Sequence, residues 1–131
     1  MAGIILVADD SPTIRAFVRL ALKGLGAELV EAADGAQAIE RARTIFPDLA
    51  LIDLHMPGTD GLAALQALRA EPDPRLSQLP ILLLTAEKNE ALLASCEQAG
   101  ATGFVEKPIK PAALLEAVRK QLAANPRERQ P

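Results

Sequence analysis

Hydrophobic positions in this chain come in blocks, and several blocks end on a charged or hydroxyl side chain. Ile4-Ile5-Leu6-Val7-Ala8 runs into Asp9 and Asp10, Leu49-Ala50-Leu51-Ile52 into Asp53, and Ile81-Leu82-Leu83-Leu84 into Thr85. Unbroken apolar runs of this length predict strands buried on both faces, as in a parallel sheet, because one-sided strands alternate apolar with polar. Two further strands are expected, a short one over Ala27 to Ala32 and another from about Thr102 to Glu106, which ends at Lys107.

Helical signals fill the gaps. Ser11 is a good N-cap with Pro12 at the first helical position, Ile14, Phe17, Val18, Ala21 and Leu25 recur at helical spacing, and Gly24 and Gly26 supply stops. Asp34 with Gln37 three residues on forms a capping box for a second helix through about Thr44, which Pro47-Asp48 breaks. Asp60 caps a third helix carrying Leu62, Leu65 and Leu68. The stretch from Glu71 to Leu79 holds two prolines and is expected to be a loop. A fourth helix carries Leu92, Leu93, Cys96 and Ala99 and closes at Gly100, and Pro111 opens a fifth with Leu114, Leu115, Val118 and Leu122 on one face.

Strand and helix thus alternate five times. A (βα)5 order with right-handed crossovers gives an α/β, doubly wound fold, most simply a five-stranded parallel sheet in order 2-1-3-4-5 with helices on both faces. Ligand chemistry in such a sheet sits outside the carboxyl ends of the strands, where the winding reverses. Strands one and three are neighbours there, so Asp9, Asp10 and Asp53 should converge, with Thr85 and Lys107 arriving from the next two strand ends. Three carboxylates repel one another unless a cation joins them, which points to a divalent metal.

The 131 residues suffice for one domain that buries about two-thirds of its unfolded surface. Half the residues are hydrophobic but only Phe17, Phe46 and Phe104 are aromatic, so the core must be built from Leu, Ile, Val and Ala. A formal net charge of −3 and a pI near 5.2 argue against a broad nucleic-acid footprint. One cysteine makes no internal disulfide, no charged-then-apolar leader precedes the first strand, and no apolar stretch reaches the ~18 residues of a membrane span. A cytoplasmic single domain over residues 1–124 is expected, with the polar, proline-containing stretch 125–131 as a flexible tail or the start of a linker. His55 is the only histidine, so neither a His cluster nor a catalytic triad is available. Cys96 falls on the apolar stripe of its helix and reads as a core thiol.

The set of residues resembles a CheY-like receiver domain, the flavodoxin-like phosphoacceptor module of two-component response regulators. The resemblance rests on Asp9-Asp10, on Asp53-Leu54-His55-Met56-Pro57-Gly58-Thr59-Asp60-Gly61, on Thr85-Ala86 and on Lys107-Pro108, and covers roughly residues 4 to 123. It implies that Asp53 is the phosphoacceptor and that Mg²⁺ is held by Asp10, Asp53 and the backbone carbonyl of His55, with Asp9 acting largely through water. Lys107 would then supply a fixed positive charge to the phosphoryl oxygens, and the Thr85 hydroxyl would donate to one of them. It also implies a cis Lys107–Pro108 bond, a His55 side chain at the mouth that tunes phosphoryl lifetime, and Phe104 as a switch residue on the surface of the fourth helix, fifth strand and fifth helix.

The function so implied is a phosphorylation-controlled switch rather than an enzyme, although it assists its own phosphorylation and dephosphorylation. A sensor histidine kinase or phosphotransfer protein would be the phosphodonor, and a downstream protein or output domain the receiver of the signal. No direct nucleic-acid or membrane partner is expected, and a phosphorylation-dependent homodimer is compatible with the resemblance. Two alternatives remain on the same fold. A flavodoxin-type nucleotide binder would need a glycine- or hydroxyl-rich phosphate loop, whereas Asp9-Asp10-Ser11-Pro12 repels phosphate without a metal. A phosphorylation-independent interaction module would usually have lost the acidic pair, the lysine or the nucleophile, all of which are present.

Overall fold

Alternation along the first strand divides the core in two. In β1 (Ile4–Ala8), Ile5 and Val7 join one apolar cluster and Leu6 and Ala8 another, all of them fully buried. The same split runs through β3 (Leu49–Asp53) and β4 (Ile81–Thr85), where every residue is buried. With β2 (Glu28–Ala32) and β5 (Gly103–Glu106) these strands form one parallel sheet in order 2-1-3-4-5. The computed structural model describes residues 3–124, so the expected tail over 125–131 lies outside the described residues.

Two helices, α1 (Pro12–Ala21) and α6 (Pro111–Ala124), cover the face of Ile5, Val7, Leu49 and Leu51, sealing it with Val18, Leu114, Val118 and Leu122. The opposite face, of Leu6, Ala50, Ile52 and Leu83, is covered by α2 (Gly35–Ile45), α3 (Gly61–Arg69) and α5 (Glu90–Gln98) through Ala38, Ala42, Leu65, Leu68 and Cys96. Truncating one of these leucines to alanine would cost about 2–5 kcal/mol, because the close-packed interior cannot refill the space. Among the described residues no helix is long and apolar enough to cross a membrane.

The helix starts follow the caps expected of them. Ser11, Asp34 and Asp60 accept from the backbone N–H of Ile14, Gln37 and Ala63, and Asn89 caps α5 in the same way. Two local expectations are corrected. The stretch Glu71–Leu79 is not wholly loop: Asp73 caps a four-residue helix, α4 (Pro74–Ser77), so the fourth and fifth helices read from periodicity are α5 and α6. Leu25 does not extend the first helix, which ends at Ala21; it closes a short 3₁₀ turn over Lys23–Leu25, after which Gly26 at φ +71° turns the chain toward β2.

Candidate functional site

At the carboxyl end of the sheet the ladder continues one residue past its strands. Asp9 N–H donates to Ala32 O at 3.1 Å, Leu54 N–H to Leu84 O at 3.0 Å, and Lys107 N–H to Thr85 O at 3.0 Å. These bonds bring three loops to one place. One carboxylate oxygen from each of Asp9, Asp10 and Asp53 lies within 4.8 Å of the others. Asp9 and Asp53 are buried, whereas Asp10 is exposed at the rim.

Lys107 reaches into this cluster. Its Nζ stands 3.0 Å from Asp9 Oδ2 and 3.4 Å from Asp53 Oδ1, and the Lys107–Pro108 peptide bond that follows is cis. The other Asp9 oxygen accepts from Ser11 N–H at 2.9 Å, and Asp53 Oδ1 accepts from His55 N–H at 3.2 Å. The loop after β3 returns tightly: Gly61 N–H donates to Leu54 O at 2.9 Å, and a Cβ on Gly61 would sit 2.4 Å from the Asp53 carbonyl oxygen. Only glycine allows that approach.

The electrostatics are those of an under-neutralised acidic pocket. Burial, and then the charge of Asp9, push the Asp53 carboxyl above its ordinary pKa, against smaller opposing effects of Lys107 and the His55 N–H. Burial also pulls the Lys107 ammonium down, but its hydrogen bond to Asp9 and the charges of Asp53 and Asp9 outweigh this and raise it. Three carboxylates against one ammonium leave two negative charges in excess. A hard divalent cation with oxygen preference fits that donor set and that charge.

Thr85 and Phe104 lie on the other side of the sheet. Counting by twos from Ile81 and Leu83 places Thr85 on the α5 face, whereas counting from Leu49 and Leu51 places Asp53 on the α1/α6 face. Phe104 is half-buried, pairs in register with Leu83, and packs on the cluster that contains Cys96 and Leu92 of α5. Its neighbourhood opens into a groove edged by Glu106, Pro108, Lys110, Ala113 and Ala117.

His55 is exposed, and its Nε2 meets Glu87 Oε1 at 3.0 Å, while Glu87 N–H donates to Thr85 Oγ at 2.8 Å. Glu87 therefore ties the loop after β4 to the loop after β3. Arg15 touches the site from behind, its Nη1 donating to the Asp9 carbonyl oxygen at 2.6 Å while its Nε binds Glu31. Sequence reasoning named neither Glu87 nor Arg15. The available signal was Glu31, a charged residue inside a strand, which needs a cation from a neighbouring element.

Residues 5–119 match the response regulator receiver domain family. The chain is 36% identical over 121 residues to the DNA-binding response regulator MtrA of Mycolicibacterium smegmatis, covering 92% of this chain and 51% of that protein. It thus spans about half the length of the curated relatives it matches. Chemotaxis response regulator CheY4 of Vibrio cholerae superposes with a TM-score of 0.85 at 31% identity, over 92% of this chain and 99% of that one. The receiver domain of a sensor histidine kinase from Pseudomonas aeruginosa, solved with a magnesium ion coordinated in its active-site cleft, superposes with a TM-score of 0.83 at 29% identity, over 94% and 99% of the two chains. With its strand order, its acidic pocket and a family match over nearly its whole length, the chain belongs to the CheY-like receiver domains of two-component response regulators.

Proposed function

We propose that the domain accepts a phosphoryl group on Asp53 and uses it to change the surface around α5, β5 and α6. The observation that carries this reading is the placement of the Asp53 carboxylate among Asp9 and Asp10 with the Lys107 ammonium 3.4 Å away. In the forward step an Asp53 carboxylate oxygen attacks the phosphorus of a phosphohistidine. A P–O bond forms, the P–N bond breaks, and the departing imidazole nitrogen takes a proton. Hydrolysis reverses the state: a water oxygen attacks phosphorus, and the bond from the Asp53 carboxylate oxygen to phosphorus breaks. Inorganic phosphate leaves with the water's oxygen and one of its protons, the other passing to solvent, as the carboxylate re-forms.

Asp10, Asp53 and the backbone carbonyl of His55 are the proposed direct holders of Mg²⁺, with Asp9 acting through water. The bound dication would neutralise the phosphoryl oxygens as they enter a negatively charged pocket. The rest is done by the chain itself. Lys107 presents its charge to the phosphoryl group, and the Thr85 hydroxyl donates to one of its oxygens. In this sense the domain assists its own phosphorylation and dephosphorylation.

The proposed phosphodonor is a sensor histidine kinase or a phosphotransfer protein in the cytoplasm, and the proposed recipient of the signal is a downstream protein, an output domain or a second phosphorylated copy. An apolar approach supports a protein donor. On α1, Phe17, which lines a recess with Pro108, is 36% exposed, and Leu20 is 72% exposed. The test is intact-mass measurement after incubation with acetyl phosphate and Mg²⁺. One phosphate should be added to the parent chain, none without Mg²⁺, and none to Asp53→Asn; equal labelling of that variant would overturn the assignment.

A further inference from the structure

Asp9 is held at four points. Its N–H donates to Ala32 O, its Oδ1 accepts from Ser11 N–H, its Oδ2 accepts from Lys107 Nζ, and its backbone carbonyl accepts from Arg15 Nη1 at 2.6 Å. The last contact is the informative one. The Asp9 carbonyl belongs to the planar peptide that leads into Asp10, so fixing that oxygen fixes the plane from which the Asp10 side chain departs. Asp10 is exposed, and no hydrogen bond of its own side chain appears among the described residues. The peptide plane is what places it.

Arg15 divides its fork in an unusual way. An arginine beside a carboxylate commonly binds both oxygens in parallel. Here Arg15 Nε takes Glu31 Oε1 at 2.8 Å, Arg19 takes Glu31 Oε2, and Arg15 Nη1 is left for the Asp9 carbonyl. Glu31 lies on β2 opposite Val7 of β1, so it anchors the guanidinium from the strand beside the acidic loop. The two arginines hold the Glu31 carboxyl below its ordinary pKa and so keep the anchor charged. A contact that served only to pin α1 to β2 would not spend a donor on Asp9.

We propose that Arg15 is a positioning residue for the divalent-cation site, setting the Asp9–Asp10 peptide with Glu31 as its orienting counter-charge. The inference rests on the reading of the acidic cluster as a cation site. Outer partners that orient metal ligands typically contribute about 10–100-fold to affinity. Arg15→Ala should weaken Mg²⁺ binding by that order in calorimetric titration of the purified chain. Arg15→Lys, which cannot reach both acceptors, should fall between, and Glu31→Gln should shift affinity in the same direction by less.

The loss should be one of affinity. Labelling of Asp53 by acetyl phosphate should approach the parent rate at saturating Mg²⁺ while the half-saturating concentration rises. A merely structural contact predicts a lower melting temperature with Mg²⁺ affinity unchanged within twofold, and that result overturns the proposal. Should Arg15→Ala fail to fold, unchanged affinity in both Arg15→Lys and Glu31→Gln overturns it equally. A parent chain that binds no Mg²⁺ would instead sink the cation reading itself.

Discussion

Lys107 Nζ lies nearer to Asp9, at 3.0 Å, than to Asp53, at 3.4 Å. The ammonium is therefore partly engaged by a residue that is not the proposed nucleophile. A dication held beside Asp9 would weaken that attraction and free Lys107 for its proposed contact with the phosphoryl oxygens. Lys107→Met removes the one cation that, among the described residues, pairs with the two buried carboxylates, so Mg²⁺ should bind the variant several-fold tighter. Phosphorylation from acetyl phosphate should nonetheless slow. Calorimetry and intact-mass kinetics check the two halves separately, and weaker Mg²⁺ binding would contradict the charge argument.

The raised pKa of Asp53 makes a prediction about stability. Because burial and Asp9 lift it above the ordinary 3.8, the folded chain holds this proton more tightly than the unfolded chain. The corresponding stability is fully present below about pH 3.8 and is lost as pH rises through the higher folded value. In metal-free buffer at neutral pH, Asp53→Asn should melt at a higher temperature than the parent. The gap should close on acidification toward pH 4, and Mg²⁺ should raise the melting temperature of the parent more than that of the variant. Calorimetric scans across pH with and without Mg²⁺ decide this.

Thr85→Ala should keep Mg²⁺-dependent labelling of Asp53 but reduce the response of the α5 face. The hydroxyl removed accepts from Glu87 N–H at 2.8 Å, and Phe104 sits on the same side of the sheet, in register with Leu83. Beryllofluoride, standing in for the phosphoryl group on Asp53, should shift the ring resonances of Phe104 and the amides of α5 in the parent. In Thr85→Ala those shifts should shrink. Identical Phe104 ring signals with and without beryllofluoride in the parent would remove this route.

Gly61→Ala tests the tight return after β3. The added methyl would meet the Asp53 carbonyl oxygen at 2.4 Å and Leu54 Cα at 2.7 Å, both of them backbone atoms that cannot swing aside. Destabilisation of roughly 1–3 kcal/mol is expected from overpacking of this kind. Mg²⁺ affinity should fall with it, because the same backbone carries the Asp53 side chain. Denaturant unfolding and Mg²⁺ titration of the variant measure both effects.

The parts of the fold that sequence reading captured are those with a physical reason to be periodic. β1, β3 and β4 are buried on both faces, so their sequences are solid apolar runs, and the ends of those runs mark where Asp9, Asp53 and Thr85 emerge. The α4 turn was missed because four residues are too few to show a helical period, and its signal was only Asp73 before Pro74. The end of α1 was misplaced because Leu25 continues the apolar spacing in a 3₁₀ turn. At the site, residues at strand ends were legible from topology alone. Glu87 and Arg15 were not, because their contacts run sideways between neighbouring elements and depend on side-chain reach rather than on register.

The parity of the strands has a consequence for how such a domain can diversify. Asp53 stands on the α1/α6 side of the sheet, and Thr85 and Phe104 stand on the α5 side. The proposed phosphoacceptor and the proposed switch pair thus occupy opposite walls of one partition, while α6 of the proposed output surface shares the phosphoacceptor's wall. Substitutions that reshape the α5 wall leave the acidic pocket's own neighbours in place. On the proposed reading, one reaction could therefore be wired to many different listeners, with the strand-end rim and α6 as the parts that stay matched to both.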